Sequence, residues 1–334
     1  MSFSYPENSI LLAPLSGYTD PPYRASARRH GCRYPFTEMV DVSSIAYSNY
    51  RTDRMLERRP DEDWLGVQLV GSDNDLVERA VEIINRHDFD VLDFNLGCPA
   101  PKVTRKGAGA AMGMQPELAA SVIERIVKVS THPVTAKIRI LDEENPEPTL
   151  HLCRLLRDAG AQAITIHGRL KKRIYSGPVF AEIIDEVRKA LDIQIIANGG
   201  VVNLATYLDL KQRSKCSCVM LARGAMGNPW LFDRLTNPDK CPYPTLDEFC
   251  QELETHILDM LEYYGEDLGA KICRKVILDY LRGRGIPREL KADVSFICNR
   301  QDFLGLISRI KNEYSPDAAK RAALAPDNDR GLAV

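Results

Sequence analysis

Asn95 and Cys98 lie three residues apart, just past the apolar run Val91-Leu92-Asp93-Phe94 that reads as a buried strand. An amide and a thiol set where a strand gives way to a loop are placed to meet a ligand. Pro99, with Gly107 and Gly109 beyond it, predicts an irregular, backbone-constrained loop there rather than an immediate helix. A lone cysteine ordinarily behaves as a small buried hydrophobe, so the company Cys98 keeps decides its reading. An ordinary thiol titrates near ~8.5 and is mostly protonated at neutral pH, which makes it a usable general acid. Nucleophilic catalysis is the alternative; it needs an adjacent base that sequence spacing does not reveal.

That company is a set of other strand-like segments with polar or glycine-rich ends. Ile10-Leu11-Leu12-Ala13 ends at Pro14-Leu15-Ser16-Gly17, Arg33-Tyr34-Pro35-Phe36 at Thr37-Glu38, and Leu65-Gly66-Val67 at Gln68. Val134-Thr135-Ala136 ends at Lys137, and Ala163 to Ile166 at His167-Gly168-Arg169. Ile193 to Ala197 ends at Asn198-Gly199-Gly200, and Val219-Met220-Leu221 at Ala222-Arg223-Gly224. With the Asn95 segment, eight strands are predicted.

Helical patterns lie between them. Asp73 to Arg86 carries Leu76, Val77, Ala80, Val81 and Ile84 on one face; Pro116 to Val129 carries Leu118, Val122, Ile126 and Val129; Thr149 to Ala159 and Phe180 to Leu191 behave alike. Strands alternating with helices imply a parallel sheet. Eight such units predict an α/β fold, a (β/α)8 TIM barrel, followed by a small all-helical C-terminal domain. An open doubly wound sheet also explains the alternation, but not why so many strands end in polar residues. In the barrel, Gln68, Asn95, Lys137, His167, Asn198 and Arg223 all end at one mouth.

Glycine turns after strands 7 and 8 of such a barrel suit a phosphate, because backbone N–H groups approach an anion closely there; Arg223 adds a charged donor. Phosphate at those strands, with Lys137 on strand 5, points to FMN. A lysine ammonium stabilises the negative charge that develops on a reduced flavin at N1 and C2=O. Gln68 suits the pyrimidine edge of the ring. In reduction of a conjugated C=C bond, hydride goes from flavin N5 to one carbon and a proton to the next, and Cys98 fits the second step. Gly107 to Gly113 resembles a dinucleotide fingerprint only superficially: the spacing is G-x-G-x-x-x-G, a dozen residues past its strand. Its expected role is tight backbone packing.

Composition bounds the rest. The chain has 334 residues, 44% of them hydrophobic, with a net charge of −2, and no apolar run near the ~18 residues a bilayer span needs. The first eight residues lack the basic and apolar segments of a signal peptide. Nine scattered cysteines without a C-x-x-C pair argue against an iron–sulfur cluster or zinc ribbon, so no metal is expected. Reduced thiols fit a cytoplasmic protein. Net charge gives no support to nucleic-acid binding, but Lys102, Arg105 and Lys106 cluster in the loop after Cys98, and Arg169, Lys171, Lys172 and Arg173 after His167. These loops belong to the barrel mouth. The prolines of Cys241-Pro242-Tyr243-Pro244 read as a linker, and Thr245-Leu246-Asp247-Glu248 as a helix cap. Residues 1–238 are therefore expected to form the barrel, 239–322 the helical domain and 323–334 a frayed tail.

Ala13-Pro14-Leu15-Ser16-Gly17-Tyr18-Thr19-Asp20 and Asp93-Phe94-Asn95-Leu96-Gly97-Cys98-Pro99, with Lys102 to Gly109, resemble the signatures of the tRNA-dihydrouridine synthase family. So do Lys137-Ile138-Arg139, His167-Gly168-Arg169, Tyr175-Ser176-Gly177, Asn198-Gly199-Gly200 and Ala222 to Trp230, in order, over about residues 8–235. The resemblance implies FMN-dependent reduction of the uridine C5=C6 bond in tRNA, with NAD(P)H as reductant. It implies hydride delivery to C6 and a proton from Cys98 to C5. It implies FMN contacts from Pro14, Leu15, Ser16, Gln68, Lys137, His167, Asn198, Gly199, Gly200, Ala222 and Arg223. Asn95 and Arg169 would lie toward the uracil or the flavin phosphate, and Lys102, Arg105, Lys171 and Lys172 would meet tRNA, with the helical domain as an RNA grip. No protein partner or membrane is implied, and a monomer is expected. Family members often carry Arg-Lys-His on a C-terminal helix; this chain has Arg274-Lys275-Val276. An FMN barrel acting on a free pyrimidine, like dihydroorotate dehydrogenase, is the main rival. It needs no basic rim and no helical appendage. An RNA-binding module on an inactive barrel is disfavoured by the retained thiol, lysine and phosphate turns.

Overall fold

The structure, a computed structural model, describes residues 3–47, 50–240 and 243–313. The expected tail 323–334 lies outside them, as do Cys241 and Pro242 of the expected linker. The chain divides into two compact units. One comprises residues 1–21, 33–201 and 205–222; the other comprises 22–32, 202–204 and 223–334.

The first unit holds a closed barrel of eight parallel strands: β1 (Ile10–Leu12), β2 (Tyr34–Asp41), β3 (Gly66–Val70), β4 (Val91–Leu96), β5 (Val134–Arg139), β6 (Ala163–His167), β7 (Gln194–Asn198) and β8 (Cys218–Leu221). Sequential order is kept around the ring, and β8 closes on β1 through Leu11 opposite Met220. The TIM barrel expectation is met. Several strands run further than their apolar runs: β2 continues through Thr37 and Glu38 to Asp41, Gln68 sits inside β3, and Lys137 lies two residues before the end of β5. Ladder bonds are made by the backbone, so a polar side chain facing the barrel axis need not end a strand.

Tyr5, Leu11, Ala13, Phe36, Val91, Ala163, Ile196, Cys218 and Met220 form one apolar cluster inside the barrel. Phe3, Tyr34 and Trp64 pack against it, and Tyr5 meets all three rings edge-on. Toward the C-terminal ends the inward positions turn polar. The register puts Gln68, Asp93 and Thr135 on one rung, Asn95, Lys137 and Thr165 on the next, and Arg139, His167 and Asn198 on the last.

Amphipathic helices cover the strands. Helix Asn74–Ile84 buries Val77, Ala80, Val81 and Ile84 and is capped by Asp73, whose carboxylate accepts from Asp75 and Leu76 N–H. Helix Pro116–Val129 buries Ala119, Val122, Ile123 and Ile126; Leu118, expected on the buried face, is exposed. After β4 the chain is less irregular than expected. It makes two four-residue helical turns, Pro101–Thr104 and Ala110–Gly113.

The second unit is helical. Helix Leu246–Tyr264 starts in the predicted capping box, Thr245 with Glu248. Helices Glu266–Leu281, Arg288–Asp293 and Arg300–Glu313 follow. Residues 22–32, most of helix Pro21–Arg29, belong here as well. Polar and ring contacts both join them to it: Glu252 accepts from Ser26 Oγ at 2.7 Å and from Arg29 Nη2 and Nε at 2.7 and 3.0 Å, and Tyr23 meets His256 edge-on. The boundary read from the prolines, near residue 238, falls inside this unit.

Candidate active site at the barrel mouth

Asp93 is 1% exposed, and both its carboxylate oxygens are occupied. Thr135 Oγ1 donates to one at 2.7 Å and Gln68 Nε2 to the other at 2.7 Å. Gln68 Oε1 accepts from Asn95 Nδ2 at 2.8 Å. Asn95 Oδ1 then accepts the backbone N–H of Gly97 at 3.1 Å and of Cys98 at 2.8 Å. A buried chain of side chains thus runs up the barrel axis and ends on the turn that carries the thiol. Cys98 itself is half-buried.

The returning chain closes on that turn. Ala110 N–H donates to Cys98 O at 3.0 Å. Gly109 has φ of 60°, and a Cβ there would lie 2.8 Å from Cys98 O and 3.2 Å from Cys98 Cβ. Only glycine fits that approach. The tight packing expected of this stretch holds at Gly109 and at Gly113, where a Cβ would run into Leu96 O, but not at Gly107, where the nearest atom is Ser72 Cβ at 3.8 Å. From the β5 side, Arg139 Nε donates to Gly97 O at 2.8 Å and Nη1 to Leu170 O at 3.3 Å, with the guanidinium 5.7 Å from the centre of the Tyr175 ring.

Lys137 Nζ donates to Asn198 Oδ1 at 2.9 Å, and Asn198 Nδ2 to Met220 O at 2.8 Å. An ammonium has three donors; only this hydrogen bond of Lys137 is formed among the described residues. Burial lowers the Lys137 pKa, helped by the nearby Arg139 charge; Asp93 and Cys98 pull the other way. Burial raises the Asp93 carboxyl, against hydrogen bonds from Gln68 and Thr135 and the Lys137 charge.

His167 and Arg169 gather beside the Gly199-Gly200 turn. Arg169 Nη1 lies 3.4 Å from His167 Nε2, and Nε donates to Gly177 O at 2.9 Å. Gly199 has φ of 130°, and a Cβ there would meet His167 Cδ2 at 2.9 Å; one on Gly200 would come within 3.7 Å of Arg169 Nη2. Pro14, Leu15 and Ser16 form the turn after β1, where Thr19 Oγ1 accepts from Leu15 N–H and Glu38 from Gly17 N–H. Ala222 packs against the barrel cluster, and Arg223 opens the 3-10 turn Arg223–Ala225 at the start of the second unit.

The basic rim is partly neutralised. Lys106 Nζ lies 3.3 Å from Asp41, while Lys172 and Arg173 share Glu143 at 3.6 and 2.9 Å. Lys102, Arg105 and Lys171 form no ion pair among the described residues. Lys171–Arg173 is a 3-10 turn, followed by Ile174 at φ of 49°. In the second unit, Arg274 donates twice to Ile297 O and Arg282 pairs with Asp279. Sequence reasoning did not single out Asp93, Thr135 or Glu143, because their signal lies in register and loop contact rather than in type.

Fold and site together define a (β/α)8 barrel whose reactive and charged side chains ring the C-terminal mouth, the face that carries the active site in this architecture. The barrel resembles those of histamine dehydrogenase from Rhizobium sp. 4-9 (TM-score 0.52, 10% identity, 75% of this chain and 48% of that one) and 6-hydroxypseudooxynicotine amine oxidase from Pseudomonas geniculata N1 (TM-score 0.51, 10% identity, 70% and 47%). This chain spans about half the length of each, and the likeness is one of fold. The particular family comes from sequence: residues 11–315 match the dihydrouridine synthase (Dus) family, and the chain belongs to it. tRNA-dihydrouridine synthase B of Pasteurella multocida is 32% identical over 281 residues, 83% of this chain and 85% of that one. A probable tRNA-dihydrouridine synthase of Rickettsia prowazekii is 31% identical over 296 residues, 87% and 90%.

Proposed function

We propose that this protein is a tRNA-dihydrouridine synthase that uses FMN and NAD(P)H to saturate the C5=C6 bond of a uridine in tRNA. The observation that carries the reading is the thiol of Cys98, held by Asn95 through two backbone N–H groups at the mouth of a barrel of this family.

The residues present fit an FMN. Lys137 keeps donors in reserve for the electron-rich edge of the ring system, with Gln68 and Asn198 as polar neighbours, and the Pro14-Leu15-Ser16 turn borders the same mouth. Gly199 and Gly200, both at positive φ, and the adjoining His167 and Arg169 suit its phosphate. The chemistry a bound FMN supplies is a hydride equivalent for uridine C6, replenished by NAD(P)H. Cys98 holds the proton that C5 receives, on Sγ. Asn95 fixes where that sulfur lies. The target base must leave its stack to reach the thiol, while Lys102, Arg105 and Lys171, unpaired within the described chain, meet the surrounding phosphates. Lys172 must exchange Glu143 for a phosphate to do the same. A monomer working in the cytoplasm fits this reading.

The test is mass spectrometry of tRNA incubated with protein, FMN and NADPH. One uridine should gain the mass of two hydrogen atoms. Reduction of free uracil or orotate with tRNA left unchanged would overturn the reading.

A further inference from the structure

We propose that Asp93 is the positioning residue for Cys98: its carboxylate sets the sense of the hydrogen-bond chain through Gln68 and Asn95 that holds the Gly97 and Cys98 N–H groups. The inference rests on the reading of Cys98 as proton donor.

Donors and acceptors fix the sense of the hydrogen-bond chain. An amide side chain can usually be turned either way. Here both ends of the chain are chemically fixed. An ionised carboxylate only accepts, and a backbone N–H only donates. Gln68 must therefore offer Nε2 to Asp93, which leaves Oε1 for Asn95. Asn95 must answer with Nδ2, which leaves Oδ1 for the turn. Turning either amide would set oxygen against oxygen, or N–H against N–H. Burying a carboxylate is unfavourable unless its oxygens are satisfied. At 1% exposure Asp93 has that compensation from Thr135 and Gln68. Its neighbour two residues earlier on the same inward row, Val91, is apolar, so packing alone does not call for an acid here.

Three roles for Asp93 can be separated. If it packs, Asp93→Leu should be tolerated. If its charge matters, Asp93→Asn should fail as badly as Asp93→Leu. If it sets the sense, Asp93→Asn should hold, because the substituted amide can keep its oxygen toward Gln68 and turn its NH2 to the Thr135 oxygen, whereas Asp93→Leu should release the turn. The readout is the alkylation rate of Cys98 by iodoacetamide in flavin-loaded protein, followed on the Cys98 peptide. Release should speed alkylation about tenfold, the ~1.4 kcal/mol of roughly one lost hydrogen bond. Single-turnover oxidation of the reduced flavin by tRNA should slow by on the order of 100-fold in Asp93→Leu, since small misplacements of reacting groups cost that much. If Asp93→Leu does not fold, Thr135→Val with Asp93→Asn replaces it: each single variant should keep the wild-type alkylation rate and the pair should lose it.

Wild-type alkylation in Asp93→Leu, or in the replacement pair, overturns the proposal. So does Asp93→Asn releasing Cys98. A wild-type protein that leaves uridine untouched would remove the proposed function and leave the alkylation comparison readable. Normal turnover with unchanged alkylation in every variant would remove the relay alone.

Discussion

Cys98 differs from its fellow cysteines in surroundings. Burial pushes the thiols of Cys216 and Cys250 up to about 11 and that of Cys273 to about 12, and Cys153 is raised further still. Those sulfurs are packing. Among the described cysteines Cys98 is half-buried and Cys298 exposed; Cys98 lies on a turn pinned from below by Asn95 and from the side by Arg139. Cys98→Ala is expected to retain FMN, by its absorbance, and to reduce tRNA uridine ~10²–10⁴-fold more slowly, the usual loss for a positioned general acid. Turnover at the wild-type rate would end that role.

At the scale of elements, the loops after β4 and β6 carry the rim. Removing Lys102, Arg105 or Lys171 as alanine should each flatten the salt dependence of tRNA binding by about one phosphate contact. Lys172→Ala should do less, since Glu143 already shares it with Arg173. Slopes unchanged from wild type in the Lys102, Arg105 and Lys171 variants, in binding titrations across salt concentrations, would contradict the rim. In the second unit, the link between helices Pro21–Arg29 and Leu246–Tyr264 is expected to respond to pH. Burial works to raise the Glu252 carboxyl, but hydrogen bonds from His30, Arg29 and Ser26 and the Arg29 charge outweigh it and hold it at about 2. Its folded pKa is below its unfolded one, so its contribution is present above ~4.3 and is lost as pH falls toward 2. Burial lowers His256 to about 4, so its share is lost earlier, as pH falls from ~6.5 to 4. Melting temperature should drop in two limbs on acidification. Glu252→Gln should flatten the lower limb, and removing its charge should also lower His256 further; an unaltered lower limb would count against the assignment.

At the scale of the molecule, the second unit is not a simple C-terminal appendage. It takes residues 22–32 from the first barrel crossover and starts at residue 223. Trp230 stacks near Phe249 and meets Tyr280 edge-on, and Arg284 lies over Trp230 and Phe249 while donating to Gly227 O and Tyr280 O. Cutting the chain after residue 240 would strip these partners from Trp230 and Glu252 from Arg29. Exposed apolar surface of that kind favours aggregation. The truncated chain is therefore expected to be insoluble. A soluble, flavin-binding barrel from that truncation would show that the first 240 residues fold alone.

The eight-strand plan, its order and the polar mouth were legible in the sequence, because alternation of apolar runs with amphipathic helices is local information. That Cys98, Asn95, Lys137 and the Asn198-Gly199-Gly200 turn lie at the mouth could be read from type and spacing, since strand ends in such a barrel share one face. Where Gln68 and Lys137 lie within their strands was not legible: polarity looked like termination, whereas the ladder needs only backbone. The role of Asp93 was equally hidden. Within Val91-Leu92-Asp93-Phe94 it reads as a blemish in an apolar run, and only register with Gln68 and Thr135 shows that its oxygens are met. The division into units was equally hidden, because the partners that Tyr23, Ser26 and Arg29 meet lie more than 200 residues away in the chain. An amphipathic helix records that it has a partner, and tertiary structure alone says which one.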